Sequence, residues 1–186
     1  MNAYLAGLDV AGDAGAWTDA GFAVDDDGGI RVGHVRMEIG VGERGIAALH
    51  LTDEPPDVTP AVHPNGVTRL DHLVVFTDDP ERTTAGYARL GLDARRVRDV
   101  GNGTTQTFFR AGEVIVELVG PIAGVDGERF WGLALTVADL DACAALFGDR
   151  LGAIKDAVQP GRCIATLRHE ACGLTVPIAF MSDGAR

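Results

Sequence analysis

Basic residues are scarce in this chain. Its 186 residues include 16 Lys and Arg against 27 Asp and Glu, which gives a formal net charge of −11. A surface with this excess of negative charge repels phosphate backbones and anionic lipids, so the sequence predicts no nucleic-acid partner and no membrane partner. Long apolar runs are also missing, because no stretch reaches the roughly 18 residues that a membrane-spanning helix needs.

Cysteine is rare as well. The three cysteines, Cys143, Cys163 and Cys172, form no CxxC motif, so the sequence predicts neither a disulfide framework nor a thiolate zinc site. The first residues lack the basic segment and the uninterrupted apolar core of a secretory signal, and we therefore expect a cytoplasmic protein.

Several common catalytic motifs are absent. The chain has no G-x-S-x-G and no H-E-x-x-H, so a serine hydrolase or a zinc protease of the standard kinds has no motif support. The Gly-Asn-Gly at 101–103 is not followed by the lysine and helix of a phosphate-binding loop.

An internal repeat is the strongest positive pattern. Two segments, beginning at Leu70 and Phe130, each open with a short apolar run that leads to an acidic residue, Asp79 or Asp139. A helical pattern of about three turns follows, with a glycine past its end. Asp at the N-cap accepts hydrogen bonds from free backbone N–H groups, and glycine after a helix adopts the left-handed conformation easily. The two copies align at a constant spacing of 60 residues.

Two β-like runs follow each predicted helix. In the first copy they are residues 105–110 and 114–119, and the glycine-containing gap between them is typical of a hairpin. In the second copy they are residues 163–168 and 174–180. Each copy is therefore predicted to be a βαβββ module.

The first 50 residues resemble a worn third copy. Residues 17–22 match residues 87–92, and strands are predicted within 30–39 and 45–51. The predicted division of the chain is a degenerate N-terminal βαβββ-like module at 1–55, a proline-rich linker at 56–66, and a domain at 67–183 made of modules 67–122 and 128–183.

The predicted fold class is α+β. Paired βαβββ modules form a curved mixed sheet around a cleft, and an extra degenerate βαβ-type module precedes them. Strand alternation places His72 and Glu117 on the cleft face among apolar neighbours. The opposite assignment would bury an imidazole and a carboxylate against the helix, which is costly without partners.

The residues around this predicted cleft resemble a known superfamily. Leu70-Asp71-His72-Leu73-Val74-Val75 begins the first module, Ile115-Val116-Glu117-Leu118 ends it, and Val137-Ala138-Asp139-Leu140-Asp141 forms the strand-to-helix turn of the second. Over residues 68–183 the chain resembles the vicinal oxygen chelate superfamily, which includes glyoxalase I, extradiol dioxygenases, methylmalonyl-CoA epimerase, and the bleomycin and fosfomycin resistance proteins. The resemblance implies a small-molecule ligand and a homodimer.

The resemblance also implies one divalent metal, held by a His or Gln and a Glu from each module. Such a set suits Fe, Mn, Zn, Ni or Co. This chain supplies His72 and Glu117, but the 60-residue spacing places Gly132 and Pro177 at the other two positions. No cofactor is therefore certain.

Three interpretations of His72 and Glu117 stay open. They are metal ligands completed from elsewhere in the chain, by Glu38, His50 or His63, or they are a metal-free acid/base pair in the cleft, or they are structural remnants.

Five further residues are candidates for ligand binding. Gln106, Phe108 and Arg110 share one strand parity, so Arg110 is placed to bind a substrate carboxylate if this face lines the cleft. Trp131 opens the second module, and Arg162 follows a turn at the predicted cleft mouth. Each also has a structural interpretation, as an exposed arginine, a wall aromatic or part of a turn. The cleft is expected to be acidic and lined by aromatic residues.

Two hypotheses of function follow. One is a glyoxalase-like protein that binds a small oxygen-bearing organic molecule in the inter-module cleft and acts as an isomerase, lyase or dioxygenase-type enzyme, with an incomplete or absent metal site. The alternative is a non-catalytic, drug-sequestering protein of the bleomycin-resistance kind, which the missing ligands at Gly132 and Pro177 favour.

Overall fold

A computed structural model describes residues 3–184 of the chain. The strands are β1 (Tyr4–Val10), β2 (Ile30–Val32), β3 (Val35–Ile39), β4 (Ile46–Thr52), β5 (Val67–Thr77), β6 (Ala94–Gly101), β7 (Thr104–Ala111), β8 (Val114–Gly120), β9 (Glu128–Val137), β10 (Lys155–Asp156), β11 (Cys163–Thr166) and β12 (Ile178–Ser182). The helices are α1 (Ala14–Asp19), α2 (Pro80–Arg89) and α3 (Leu140–Phe147), with short 3-10 helices at Gly148–Arg150 and His169–Cys172. Within this part of the chain, no helix has the length and apolar character to span a membrane.

The strands form two mixed sheets. A four-stranded sheet has the order β2-β3-β1-β4, and an eight-stranded sheet has the order β10-β11-β12-β9-β5-β8-β7-β6. In the larger sheet β5 runs parallel to β8 and β9 runs parallel to β12, while β5 and β9 pair antiparallel at the centre. This is the predicted arrangement of two βαβββ modules, and the α+β fold class is confirmed.

The two larger helices begin at the predicted N-caps. The Asp79 side chain accepts a hydrogen bond from the Arg82 backbone N–H at 2.9 Å. The Asp139 side chain accepts from Asp141 and Ala142 N–H groups at 2.9 and 3.0 Å. These bonds satisfy backbone donors that have no partner inside the helix.

Each helix covers the outer face of its own module. Tyr87 of α2 packs edge-on against Phe109 with ring centroids 5.2 Å apart, and Phe147 of α3 stacks on Phe180 at the same separation. All four residues are buried. The core therefore lies between helices and sheet, and the opposite, concave face of the sheet is left for a cleft.

Three irregularities interrupt the central ladder. Thr68 and Asp71 are extra residues in β5, and Trp131 is an extra residue in β9. Asp71 and Trp131 lie 60 residues apart, so the pseudo-twofold symmetry of the repeat extends to these two bulges. The bulge at Asp71 explains why Leu70 and Leu73, three positions apart, both enter the core. It also breaks the strict alternation assumed from the sequence.

The register corrects one sequence-based correspondence. Glu117 pairs with Val74, and the equivalent pair in the second module is Ala134 with Ala179. The counterpart of Glu117 is therefore Ala179 rather than the predicted Pro177. The connection between β11 and β12 contains a 3-10 helix, and β12 begins four residues later than predicted, so the constant spacing fails there.

The N-terminal segment forms an incomplete module. In it β1 runs parallel to β3, and β3 pairs with β2, as the first strand of each larger module pairs with its last. One hairpin strand is missing, and β4 flanks β1 antiparallel on the side where β9 flanks β5. The division at 1–55, 56–66 and 67–183 remains our proposal.

The segment from 53 to 66 has no helix or strand, but its end is anchored to the N-terminal module. The buried His63 ring accepts a hydrogen bond from the Ala23 N–H through Nδ1 at 3.0 Å. The buried Asn65 amide donates to the Ala20 carbonyl at 3.0 Å. His63 therefore has a structural role on the N-terminal side.

Two glycines provide a test of this packing. An added Cβ at Gly132 would lie 2.7 Å from the Pro177 carbonyl oxygen, whereas at Gly86 of α2 the nearest neighbour would be 3.9 Å away. We expect Gly132→Ala to lower the free energy of unfolding by about 1–3 kcal/mol through overpacking. Gly86→Ala should raise it by about 0.5–1 kcal/mol because alanine favours the helix. Urea unfolding of both variants measures the difference, and equal stability would contradict the proposed close contact.

Candidate functional site

The concave face of the eight-stranded sheet holds a cavity of about 780 Å³. Both modules of this one chain line it, so the cleft is enclosed without a second subunit. Six of the seven predicted site residues lie on its wall, namely His72, Gln106, Phe108, Arg110, Glu117 and Trp131. The seventh, Arg162, does not.

His72 is buried at the floor of the cavity and is held from behind by Asp71. Its Nδ1 lies 2.6 Å from Asp71 Oδ2. The β-bulge turns the Asp71 side chain toward this partner, where regular alternation would have pointed it to the opposite face. Because an ionised carboxylate only accepts hydrogen bonds, Nδ1 carries a proton and the Nε2 atom of His72 is available to a ligand.

Arg162 completes this buried chain from the second module. Its Nη1 lies 2.9 Å from Asp71 Oδ1, its Nη2 donates to the Thr136 hydroxyl at 3.1 Å, and its Nε donates to the Ser182 carbonyl at 2.7 Å. Burial opposes ionisation of Asp71, but the hydrogen bond from His72 and the charge of Arg162 together lower the pKa of this carboxyl far below its ordinary value. The prediction that Arg162 binds ligand needs correction, because all its nitrogens are engaged behind His72.

Glu117 lies on the same wall as His72 but is held differently. Its Oε1 accepts a hydrogen bond from the Gln106 amide at 2.7 Å. Burial raises the pKa of Glu117, and electrostatic interactions with His72 and Arg98 oppose that shift. Within residues 3–184 the side-chain oxygen Oε1 of Gln106 is buried and accepts no hydrogen bond, so it is an available acceptor beside the Glu117 carboxyl.

The second-module side of the cavity is apolar. Gly132 and Ala179 stand at the positions equivalent to His72 and Glu117, and Leu133, Ile164 and Met181 supply the surrounding surface. Trp131 stacks on Phe76 with ring centroids 5.2 Å apart and is 42% exposed at the rim. The buried acid/base candidates therefore lie on the first-module side, while Lys155, Asp156, Gln159 and Thr166 of the second module add polar groups elsewhere in the lining.

The residues of the cleft do not fit the divalent metal that the fold implies. Among residues 3–184 no group of three His, Cys, Asp or Glu side chains is placed to hold a metal ion. The close contact with Pro177 leaves no space for a side chain at position 132. The metal interpretation of His72 and Glu117 therefore lacks its other ligands.

The three residues considered as substitute ligands lie elsewhere. Glu38 pairs with Arg36, His50 pairs with Asp9, and His63 bonds to the backbone of the N-terminal module. None of the three lines the cavity.

The charge around the cavity is the reverse of the expectation. Its lining includes five cations, Arg95, Arg96, Arg98, Arg110 and Lys155, against two acidic residues, Glu117 and Asp156. The expected acidic cleft is wrong, because the negative charge of the chain is distributed over other surfaces. A cationic ligand is disfavoured accordingly.

Two groups of residues escaped the sequence interpretation. Asp71 was assigned no role because strict alternation turned it away from the cleft; the apolar Leu70 and Leu73, three apart, were the available sign of a bulge. The arginines of β6 stand out in an acidic chain as Arg-Arg-Val-Arg at 95–98, but no local pattern shows that this strand reaches the cavity.

A family model for the glyoxalase/bleomycin resistance protein/dioxygenase superfamily matches residues 69–165, just over half of the chain. The chain belongs to this superfamily. The matched residues include β5 from Arg69 onward with the bulge at Asp71, the rest of the first module and the beginning of β11, so the matched region contains His72, Glu117 and Arg162.

Solved structures share the fold of this superfamily member at low sequence identity. A variant of Streptomyces coelicolor methylmalonyl-CoA epimerase in complex with 2-nitronate-propionyl-CoA is 21% identical, covers 64% of this chain and 99% of its own, and has a TM-score of 0.52. The Mycobacterium tuberculosis methylmalonyl-CoA epimerase is 19% identical, with coverages of 63% and 89% and a TM-score of 0.50.

A wider match includes the N-terminal module. BphC, a halotolerant catechol dioxygenase, is 13% identical, covers 98% of this chain and 87% of its own, and has a TM-score of 0.62. At these identities the likeness shows the fold alone. A comparison with curated protein sequences gave no match.

The Asp71–Arg162 pair is open to a stability test. Arg162→Met leaves a buried carboxylate short of its charge partner, and we expect it to lower the free energy of unfolding by about 3 kcal/mol. Arg82→Gln removes an exposed pair with Asp78 and should cost at most about 1 kcal/mol. Chemical denaturation measures both losses. A small loss for Arg162→Met would show that Asp71 does not depend on this arginine.

The raised pKa of Glu117 predicts a pH-dependent stability difference. A carboxyl with a higher pKa in the folded than in the unfolded protein disfavours folding once it ionises, so its stabilising contribution is lost as the pH rises through the folded pKa. Glu117→Gln cannot ionise and should gain stability relative to the wild type as the pH rises above the ordinary pKa of a glutamate. The exposed Glu113 provides the control Glu113→Gln, which should show no such trend. Parallel stability curves for wild type and Glu117→Gln would contradict the assignment.

Proposed function

We propose that this protein binds a small oxygen-bearing organic molecule in the inter-module cleft and moves a proton on it with His72 and Glu117. The observation that carries the proposal is the pairing of two differently tuned groups on one cavity wall. His72 is oriented by the ionised Asp71, and Glu117 has a raised pKa. Pairs of groups whose surroundings separate their proton affinities are typical of acid/base sites.

The proposed step is a proton transfer at a carbon next to a carbonyl. Nε2 of His72 takes the proton, the electron pair of the C–H bond moves toward the carbonyl oxygen, and the carboxyl of Glu117 returns a proton to the carbon. General acid/base catalysis of this kind contributes roughly 10²–10⁴-fold to a rate. The product is an isomer of the substrate, and loss of a leaving group next to the carbanion would make the reaction a lyase.

The comparisons support an isomerase more than a dioxygenase. Two of the structural matches are epimerases by name, which are isomerases. Oxygen activation by such an enzyme requires a redox-active metal, and residues 3–184 contain no group of three His, Cys, Asp or Glu side chains placed to bind one. The fold of BphC is shared over nearly the whole chain, but that likeness concerns the architecture.

Sequestration of a small molecule is the second candidate. Leu133, Ile164, Ala179 and Met181 give part of the cavity wall an apolar surface. Such a surface binds a ligand by burial of apolar area and requires no catalytic step.

A homodimer, implied by resemblance alone, stays a prediction.

Isotope exchange separates the two candidates. In deuterated water containing EDTA, we expect the wild type to exchange hydrogen next to a carbonyl in at least one member of a panel of 2-oxo acids, hydroxy ketones and acyl thioesters, followed by NMR. His72→Gln and Glu117→Gln should slow the exchange about 100-fold or more while ligand binding changes little. Thr166→Val, which removes a hydroxyl from the second-module wall of the same cavity, is the matched control.

Two results would decide against the enzyme. Exchange that survives both substitutions would remove His72 and Glu117 from the mechanism. Tight binding of panel members by the wild type without any exchange would favour sequestration.

A further inference from the structure

The cleft mouth carries a group of cations that neither the superfamily assignment nor the proton-transfer step explains. Arg96 and Arg98 lie on β6, the edge strand, directly opposite Phe108 and Gln106 of β7. Residues opposite each other on antiparallel strands project to the same face. Both arginines therefore share the cleft face with two residues of the cavity wall.

A bulge adds a third arginine. Arg95 is an extra residue of β6 between Ala94 and Arg96, and it also lines the cavity. Every residue of β6 is exposed, so the strand makes no contribution to the core that would account for its composition.

These arginines form no direct ion pair. Within residues 3–184 the side chains of Arg95, Arg96 and Arg98 make no salt bridge or hydrogen bond, in contrast to Arg36 and Arg82, and the one carboxylate that Arg98 acts on is the buried Glu117. Acidic residues outnumber basic ones by 27 to 16 in the whole chain, so carboxylates are abundant. Three unpaired cations side by side repel one another, and a bound anion would relieve that repulsion.

A fourth unpaired cation faces the same opening from the far side. Lys155 lies on β10, at the opposite end of the eight-stranded sheet from β6, yet it lines the same cavity. The curvature of the sheet therefore brings its two edges to one mouth. The arginines of β6 supply the excess positive charge that attracts anions to the opening, and Lys155, beside Asp156, adds a donor on the other edge.

We propose that the ligand is an organic anion with an apolar body. Its carboxylate or phosphate group lies at the mouth between Arg96, Arg98 and Lys155, and its body lies on the apolar side formed by Ile164 and Met181. Arg guanidinium groups match the geometry of both anionic groups. This inference names the substrate class of the proposed function and rests on it for the choice of cavity.

Matched fluorescent probes test the anion site without knowledge of the natural ligand. 1-Anilinonaphthalene-8-sulfonate carries an anionic group, and N-phenyl-1-naphthylamine is a similar body without it. We expect the double variant Arg96→Gln/Arg98→Gln to bind the anionic probe about tenfold more weakly, because two charge-assisted contacts at a partly exposed site are lost. The neutral probe should change by less than about twofold.

Two control variants fix the location and the charge effect. Arg44→Gln/Arg89→Gln removes the same charge from exposed arginines outside the cavity and should leave both probes unaffected. Ala179→Trp fills the cavity and should abolish binding of both probes. Thermal unfolding confirms that each variant is folded.

Each combination of probe and variant either supports or contradicts the anion site. Equal weakening of both probes, or equal weakening by the two double variants, would overturn the anion site. Loss of the anionic probe alone in Arg96→Gln/Arg98→Gln supports it, even where the isotope exchange that tests His72 and Glu117 fails. Displacement of the bound probe by octanoate and by octyl phosphate then shows whether the preferred group is a carboxylate or a phosphate.

Discussion

The polar side of the cleft depends on one buried carboxylate, that of Asp71. Removal of this group from water is unfavourable unless it is fully partnered, and the fold provides the partners from both modules. His72 is its neighbour in the first module, and Arg162 reaches it from the second, with Thr136 as a further donor. The orientation of the imidazole therefore depends on how the two modules close on each other, which ties the chemistry of the site to its architecture.

Much of the fold could be predicted because its signals are local. Asp79 and Asp139 begin helices in the structure as their sequence positions indicated, and apolar runs locate the central strands. The incorrect predictions arise where the strand is irregular, because the prediction assumed strict alternation of side chains along each strand and a constant 60-residue spacing between the modules. A bulge at Asp71 shifts the strand face by one residue, and a 3-10 helix before β12 shifts the register by two, so Ala179 replaces Pro177 as the counterpart of Glu117.

The residues of the site also fall into those that the sequence predicts and those that it does not. His72, Gln106 and Glu117 were found from the sequence because polar side chains stand out on apolar strands. Arg96 and Lys155 were not, since they belong to strands at opposite ends of the sheet and meet only through its curvature. Residues that are brought together by the curvature of a sheet leave no periodic pattern in the sequence. Their proximity sets the sign of the charge at the mouth, and the net negative charge of the chain therefore led to the wrong expectation of an acidic cleft.

The backbone of the two modules is pseudo-symmetric, but the placement of the candidate catalytic residues is not. The bulges at Asp71 and Trp131 are related by the pseudo-twofold axis, but the buried pair His72 and Glu117 has no polar counterpart in the second module, where Gly132 and Ala179 stand instead. Packing maintains this asymmetry. At position 132 a side chain would meet the Pro177 backbone oxygen, so a ligating residue there requires movement of the β12 approach as well as a substitution. The backbone of the second module thus excludes a side chain at the position equivalent to His72, so His72 and Glu117 are the candidates for proton transfer, and the second module contributes Lys155 to the mouth.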